Sequence, residues 1–247
     1  MARYIDLFKR REEEIRKIIE LLFKKSKEFE DPKLILIGGY GLRAYVPFSR
    51  STRDCDFAIR KKNGWQMDEI KGWFGKELSI ETLEKKENFA FMRCIKPIKV
   101  GTKTVKVSLD FMEGEVTGRN EKDVVKIDER FVKDTWKTRI TVAGGEQEVR
   151  VPSYTDFFIL KVVSARASDV KDIATLIWKN GIPERLKERI GEILPHPGIF
   201  NEKLGISILP IMRDKRFVDS WRGMFMTTEF DDKVKEQIIE KLSKLLS

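Results

Sequence analysis

The sequence predicts an α+β protein, in which a sheet-rich N-terminal domain is followed by an all-helical C-terminal domain. The strand-like patterns, short apolar runs and alternating polar and apolar residues, all lie between residues 33 and 151. After Pro152 the apolar residues recur at helical spacing. We therefore expect two domains, residues 1–151 with a mixed or antiparallel sheet flanked by helices, and residues 152–247 built from helices.

The N-terminal domain is expected to start with a long amphipathic helix and to contain several strands. Apolar residues recur at helical spacing among Lys, Arg and Glu from Ile5 onward, and Asp31-Pro32 ends that pattern. The predicted elements are, in order, a helix at 5–29, a strand at 33–37, a short helix from residue 40, a strand at 53–60, a helix at 64–74, and strands at 89–95, 104–112 and 140–151. Lys99–Lys103 is expected to form the turn of a hairpin.

The C-terminal domain shows helix-capping signals at its start. Ser153 is a good N-cap for a helix with a strongly apolar face, and Ser168 or Asp169 is expected to cap the next helix, which runs through Trp178. Asn180-Gly181 should end that helix. Later helices are expected to begin at Pro183, to be interrupted at residues 195–198 and to end with residues 233–246.

Composition limits both the kind of site and the kind of partner. With two cysteines and one histidine, the chain has too few ligands for a disulfide scaffold or a usual zinc site, so a catalytic metal must bind carboxylates. The net charge of +9 favours a polyanionic partner, although Lys- and Glu-rich sequences are also typical of thermophile proteins. Because no apolar run approaches the roughly 20 residues of a membrane span, we expect a cytoplasmic protein without membrane contact.

Three aspartates are the candidate metal ligands. Asp54 and Asp56 are two residues apart on a predicted strand, so their side chains should point the same way, with Cα atoms about 6.5–7 Å apart. Asp110 lies in an apolar strand, where an unpaired carboxylate would be costly to bury. Together they could form an all-oxygen site for Mg²⁺ or Mn²⁺.

Residues near these aspartates could bind phosphate groups. Gly38-Gly39 follows a predicted strand, and the absence of side chains would let a phosphate approach the backbone closely. The residues just before the aspartate pair offer guanidinium and hydroxyl donors: Arg50, Ser51, Thr52 and Arg53.

Taken in chain order, these motifs resemble the minimal nucleotidyltransferase superfamily. The shared pattern is an apolar strand, a glycine pair, an Asp-x-Asp after a Ser/Thr-containing approach, and a later carboxylate between apolar residues, here Leu109-Asp110-Phe111. Residues 151–161 and 165–173 are similar to the helical motifs of the AbiEii-type branch, in which a helix Lys precedes a Lys-Asp-x-x-Asp element. The resemblance covers roughly residues 33–180.

The resemblance implies a role for each matching residue. Asp54 and Asp56 would be metal ligands, and Asp110 the third ligand or the base. Gly39 would belong to the phosphate loop, and Lys161 would contact the nucleotide phosphates. Asp169 and Asp172 would orient Lys161 and its helix pair. Ser168 departs from the pattern, since that branch usually has Lys there, and Gly39 stands where the pattern also allows Ser. For Lys161 a solvated helix face, and for Asp169 a plain N-cap, remain alternatives.

The function implied is transfer of a nucleoside monophosphate from an NTP, ATP included, to an acceptor hydroxyl. The basic charge favours an RNA acceptor such as a tRNA 3′ end, while a protein or small-molecule hydroxyl is the alternative. The branch includes toxins of toxin–antitoxin systems, so a cognate antitoxin is an expected partner. Two other classes stay open: a catalytically silent nucleotide-binding or partner-binding module, and a structural RNA-binding protein.

Overall fold

A computed structural model describes residues 4–47 and 50–246 of the chain. The helices are α1 (Tyr4–Lys25), α2 (Gly38–Gly41), α3 (Met67–Trp73), α4 (Glu129–Lys133), α5 (Tyr154–Ser164), α6 (Ala167–Asn180), α7 (Leu186–Ile193), α8 (Gly198–Glu202), α9 (Leu209–Arg213), α10 (Phe217–Phe225) and α11 (Asp232–Ser243). The strands are β1 (Leu34–Ile37), β2 (Asp54–Ile59), β3 (Ser79–Lys85), β4 (Ala90–Val100), β5 (Lys103–Glu113), β6 (Glu115–Thr117), β7 (Val124–Lys126), β8 (Trp136–Val142) and β9 (Gly145–Val151). A 3₁₀ turn follows α2, and a π-helical stretch joins α8 to α9.

The described residues fall into two compact units. Unit 1 consists of the described residues within Met1–Ala44, Ser51–Val116 and Ile127–Pro152. Unit 2 consists of the described residues within Tyr45–Arg50, Thr117–Lys126 and Ser153–Ser247. The division into domains at residues 151 and 152 stays a prediction.

Unit 1 is organised around a mixed five-stranded sheet with the order β1-β2-β5-β4-β3. Strands β2 and β5 are parallel, and the other neighbours are antiparallel. On one face, alternate residues of β2 and β5 are fully buried, and the ring of Phe57 stacks on those of Phe29 and Phe111. The helix α1 packs against β4 and β5 and buries its apolar stripe. This one-sided core leaves the opposite side chains of β2 and β5 available for polar chemistry.

Unit 2 is mainly helical, and its core is aromatic. The ring of Trp221 stacks on that of Phe230 at 4.4 Å, and Trp178 meets both rings edge to face. The buried indole N–H of Trp221 donates to the hydroxyl of Thr175 at 2.9 Å, so this polar group has a hydrogen-bond partner within the core. A mixed sheet with many helices confirms the predicted combination of α and β structure.

The first predicted helix is four residues too long. It ends at Lys25 because the Ser26 hydroxyl donates to the Leu22 carbonyl oxygen and accepts from the Phe29 N–H at 3.1 Å. Residues 27–29 then have positive φ angles, which places Phe29 in the core rather than on a continuing helix.

Two other element predictions are also wrong. The expected single strand at 140–151 is a hairpin, since Ala143 and Gly144 both have positive φ, as a two-residue I′ turn requires. The helix α6 is capped by Arg166, not by Ser168 or Asp169. Asp169 is its third residue, and its carboxylate accepts from the Arg166 backbone N–H at 3.3 Å. The predicted N-cap Ser153 is confirmed, because its hydroxyl accepts from the Asp156 N–H at 3.1 Å.

Candidate functional site

The parallel pairing of β2 and β5 aligns the candidate metal ligands. In the register of the two strands, Asp54 is opposite Ser108 and Asp56 is opposite Asp110. Partners in register share a face of the sheet, so the three aspartates and the serine form one polar patch, which we call the aspartate face. The residues that alternate with them, Cys55, Phe57, Leu109 and Phe111, are fully buried on the other face of the sheet. Burial raises the pKa of the Cys55 thiol well above its ordinary value, so this cysteine is a core residue.

Two of the three aspartates accept hydrogen bonds from side chains on the same face of the sheet. Asp110 is only 6% exposed, and its two oxygens accept from Arg93 Nε at 2.8 Å and Nη2 at 2.5 Å. This bidentate bond is the main cause of the raised pKa of the Arg93 guanidinium. Asp54 accepts a short hydrogen bond from the Ser108 hydroxyl. Among residues 4–47 and 50–246, no three His, Cys, Asp or Glu side chains lie close enough together to hold a metal ion.

The glycine pair is required by its neighbours on β2. Ile37 pairs with Asp56, so the chain turns into α2 right beside this carboxylate. Gly38 has a φ of +65°, and a Cβ there would lie 1.8 Å from Asp56 Oδ2. A Cβ on Gly39 would lie 2.9 Å from the Thr52 side chain. The missing side chains therefore let Asp56 and Thr52 pack directly against the backbone of the glycine pair, in positions that a Cβ would take.

The aspartate face offers the type of donor that a divalent cation binds, but Arg93 and Ser108 hold two of its three carboxylates in this arrangement. Carboxylate oxygens are the ligands that Mg²⁺ and Mn²⁺ prefer, and the carboxylate of Asp56 packs against the backbone of Gly38 at the start of α2. Of the nearby candidate phosphate ligands, Ser51 and Arg53 are exposed and Thr52 is partly buried. The Thr52 hydroxyl lies 3.4 Å from the Asp54 carbonyl oxygen, to which it donates.

The remaining predicted residues form a buried ion network in unit 2. Lys161 Nζ donates to Asp169 Oδ1 at 2.9 Å and to Asp172 Oδ2 at 2.8 Å. Arg50 holds Asp172 in a bidentate pair, with distances of 2.7 and 2.8 Å. Asp169 also accepts from the Ser164 hydroxyl and from Arg166 Nε, both at 2.8 Å. Both aspartates are fully buried.

The opposite charges in this network shift the pKa of both Lys161 and Asp169 in favour of their charged forms. Burial disfavours the charged form of Lys161, but the carboxylates of Asp169 and Asp172 outweigh it and raise the pKa of the ammonium. Burial likewise opposes ionisation of Asp169, but Lys161 and Arg166 outweigh it and hold the pKa of that carboxyl well below its ordinary value. Lys161 is 3% exposed, so the alternative of a solvated helix face is wrong.

The structure also shows partners that the sequence interpretation missed. Ser108 is two residues before Asp110, so the spacing argument that paired Asp54 with Asp56 would have found it. Arg93 follows from the hairpin: counting back from the Val100–Lys103 pair places it opposite Asp110. Ser164 and Arg166 had no comparable signal, since their bonds to Asp169 depend on how the chain turns between α5 and α6.

A mixed sheet that carries an Asp-x-Asp beside a glycine pair, with a third aspartate on the parallel neighbour, is the arrangement of a nucleotidyltransferase. The chain belongs to the nucleotidyl transferase AbiEii toxin family of type IV toxin–antitoxin systems, whose family model matches residues 20–241. The resemblance inferred from the motifs is thereby confirmed.

Solved structures and curated sequences were compared as well. JHP933 from Helicobacter pylori is 13% identical, with a TM-score of 0.41, over 92% of this chain and 89% of that one. A protein described as "putative nucleotidyltransferase from H. pylori" is 14% identical, with a TM-score of 0.38, over 94% of this chain and 92% of that one. No curated protein sequence matches significantly. Among the described residues, no helix is both long and apolar enough to cross a membrane.

Proposed function

We propose that this protein is a metal-dependent enzyme that transfers a nucleoside monophosphate from an NTP to an acceptor hydroxyl and releases pyrophosphate. Asp54, Asp56 and Asp110 would hold Mg²⁺ or Mn²⁺. The observation that carries the proposal is the parallel register of Asp56 with Asp110, which gathers three carboxylates on one face beside the backbone of the glycine pair.

The reaction requires a nucleophile, a proton acceptor and a leaving group. The acceptor oxygen forms a bond to the α-phosphorus, the bond from this phosphorus to the bridging oxygen breaks, and the electron pair leaves with pyrophosphate. The hydroxyl proton passes to a carboxylate of the aspartate face, for which Asp110 is the proposed base. A bound divalent cation would supply charge neutralisation at the phosphates and polarise the hydroxyl.

Either proposed role of Asp110 requires its bond to Arg93 to open. The guanidinium side chain is 37% exposed, so it can exchange the carboxylate for water or for phosphate oxygens. We propose that Ser51, Thr52 and Arg53, with the backbone at Gly38 and Gly39, bind the NTP phosphates.

We further propose that Lys161 contacts the nucleotide phosphates, and that the other network members position it. Arg50 and Lys161 share Asp172, and Asp169 ties Lys161 to the start of α6. Because Lys161 is 3% exposed and bonded to two buried carboxylates, this role requires the ammonium to exchange one of those bonds for a phosphate oxygen.

RNA, specifically a tRNA 3′ end, is the proposed acceptor. The net charge of +9 supports a polyanionic acceptor, since each neutralised phosphate releases counterions and strengthens binding at low salt. Membership of a type IV toxin–antitoxin family supports a toxic activity and a cognate antitoxin as partner.

Substitution of a single metal ligand tests the catalytic proposal. Asp56→Asn keeps the shape of the side chain and removes its charge, so we expect NMP transfer to fall at least about a hundredfold while the melting temperature stays near that of the wild type. Asp219→Asn, an exposed position on α10, is the matched control and should keep full activity. Full transfer activity in Asp56→Asn would refute the mechanism.

One observation favours a second candidate, a catalytically silent module that binds nucleotides or a partner. The Arg93–Asp110 pair already neutralises the third carboxylate, which is how a fold without a bound cation would stabilise that charge. This candidate predicts NTP binding without turnover, both with and without RNA.

A further inference from the structure

Unit 1 contains a cavity that none of the three aspartates lines. Its volume is about 330 Å³, within the range of small-molecule sites. It lies where the first turns of α1 meet the beginning of β5 and the residue before β2. Its described lining residues are Leu7, Phe8, Arg11, Arg53, Val105 and Lys106.

The lining combines cations with an apolar wall. Arg11, Arg53 and Lys106 contribute three positive charges, and no acidic residue is among the described lining residues. Lys106 also bonds Glu81 at 3.0 Å, but the Lys106 side chain is 64% exposed, so water screens this pair. Cations concentrated around one cavity attract an anion, and a phosphate fits a guanidinium fork best.

Arg11 acts on the cavity through its charge. Its Nε is shielded from solvent and has no hydrogen-bond acceptor among residues 4–47 and 50–246, so this N–H does not face the cavity. The positive charge is delocalised over the whole guanidinium of this lining residue, and it attracts an anion in the cavity.

We propose that this cavity binds one nucleoside phosphate, with the phosphate held by Arg11 and Lys106 and the base against Phe8. An apolar wall with an aromatic ring beside clustered cations suits a ligand that is part charged and part aromatic. Arg53 immediately precedes Asp54, so the site adjoins the aspartate face along the chain. The inference that the ligand is a nucleotide of the acceptor RNA rests on the proposed function. The inference that the ligand is a nucleoside phosphate rests only on the residues that line the cavity.

Binding without turnover tests the site. The assay uses the full chain with Asp54→Asn and Asp56→Asn, so that nucleotide held at the aspartate face contributes less. A labelled single-stranded RNA oligonucleotide and free AMP are the two probes. Adding Arg11→Gln should weaken binding about tenfold and lower the slope of log affinity against log salt by about one. Phe8→Leu should weaken binding several-fold at unchanged salt slope.

The matched control is Arg10→Gln. Arg10 is the neighbouring arginine on α1, half-exposed and paired with Glu13 at 2.9 Å, and it does not line the cavity. It should leave binding unchanged, and melting temperatures of both variants confirm folding. Loss of both probes in Arg11→Gln supports a site for RNA nucleotides, and loss of AMP alone supports a site for free nucleotides. Equal affinities in Arg11→Gln and Arg10→Gln, or no binding of either probe, would overturn the site. The result does not depend on whether NMP transfer is found.

Discussion

At the scale of single residues, Gly38 makes the most specific prediction. Ala at this position would carry its Cβ to 1.8 Å from Asp56 Oδ2 at a φ of +65°, so either the carboxylate or the turn must move. Because displacement of a catalytic group by about 1 Å can cost a hundredfold in rate, we expect Gly38→Ala to lose about that much transfer activity.

Gly72→Ala is the control for this change. Gly72 is a helical residue of α3, and nothing lies within 4 Å of a Cβ built there. It should keep full activity and gain roughly 0.5–1 kcal/mol of stability. Activity of Gly38→Ala equal to that of Gly72→Ala would show that the close packing of Asp56 against Gly38 is not needed.

Removing Lys161 should destabilise unit 2 strongly. Lys161→Met keeps the apolar stem but leaves the buried carboxylates of Asp169 and Asp172 with one fewer cation. Breaking a buried ion pair typically costs 3–5 kcal/mol, so we expect about 3 kcal/mol less unfolding free energy by urea denaturation. Lys187→Met, at an exposed position of α7, should change stability by less than about 0.5 kcal/mol. A near-wild-type Lys161→Met would contradict the importance of the network.

The same network predicts acid sensitivity. The folded-state pKa of Asp169 lies below its ordinary value of 3.8, since the cations Lys161 and Arg166 outweigh burial. A depressed pKa contributes stability that is present above the ordinary pKa and is lost as the pH falls below it. Unfolding free energy measured from pH 6 to pH 2.5 should therefore drop below about pH 4, and Asp169→Asn should show a smaller drop. Parallel pH profiles would contradict this assignment.

Spacing and register explain which site residues could be predicted from sequence. Asp54 and Asp56 follow from the two-residue period of a strand, and the glycine pair follows from the strand end. Burial of the Lys161 network could not be inferred, because its partner Arg50 is 122 positions away from Asp172 in the sequence. A helical Lys with polar neighbours has the same local pattern whether it is solvated or paired.

At the scale of secondary-structure elements, capping and turn chemistry decide what the sequence reveals. The β4–β5 hairpin was predictable because Gly101 marks its turn. The strand β3 was missed, since as an edge strand it exposes nearly all of its side chains and shows no apolar alternation. The β8–β9 turn at Ala143-Gly144 was missed because the flanking residues continue the strand pattern on both sides.

The N-cap of α5 gives a prediction at this scale. The Ser153 hydroxyl accepts from the Asp156 N–H, one of the four backbone donors that a helix start leaves unpaired. Ser153→Ala should lower the unfolding free energy by about 1 kcal/mol in urea denaturation. Ser220→Ala, at an exposed position within α10, should be neutral or slightly stabilising. Equal effects of the two substitutions would contradict a capping role for Ser153.

At the scale of the whole molecule, the order of elements was easier to predict than their grouping. The change from strands to helices near residue 152 is visible in the hydrophobic period. The sequence does not show that unit 2 also includes Tyr45–Arg50 and Thr117–Lys126, because this grouping depends on contacts between distant parts of the chain. One such contact is the buried pair of Asp123 with Lys203, whose Nζ lies 2.7 Å from the carboxylate.

Label transfer tests the central claim most directly. The protein is incubated with each α-labelled NTP and Mg²⁺, with and without total RNA, beside the Asp54→Ala/Asp56→Ala variant. The proposed function predicts label in RNA with the wild type alone, and the labelled nucleotide names the preferred NTP. Label on protein or on a small molecule would contradict the RNA acceptor. No label anywhere, despite measurable NTP binding, would contradict the transferase and favour the silent module.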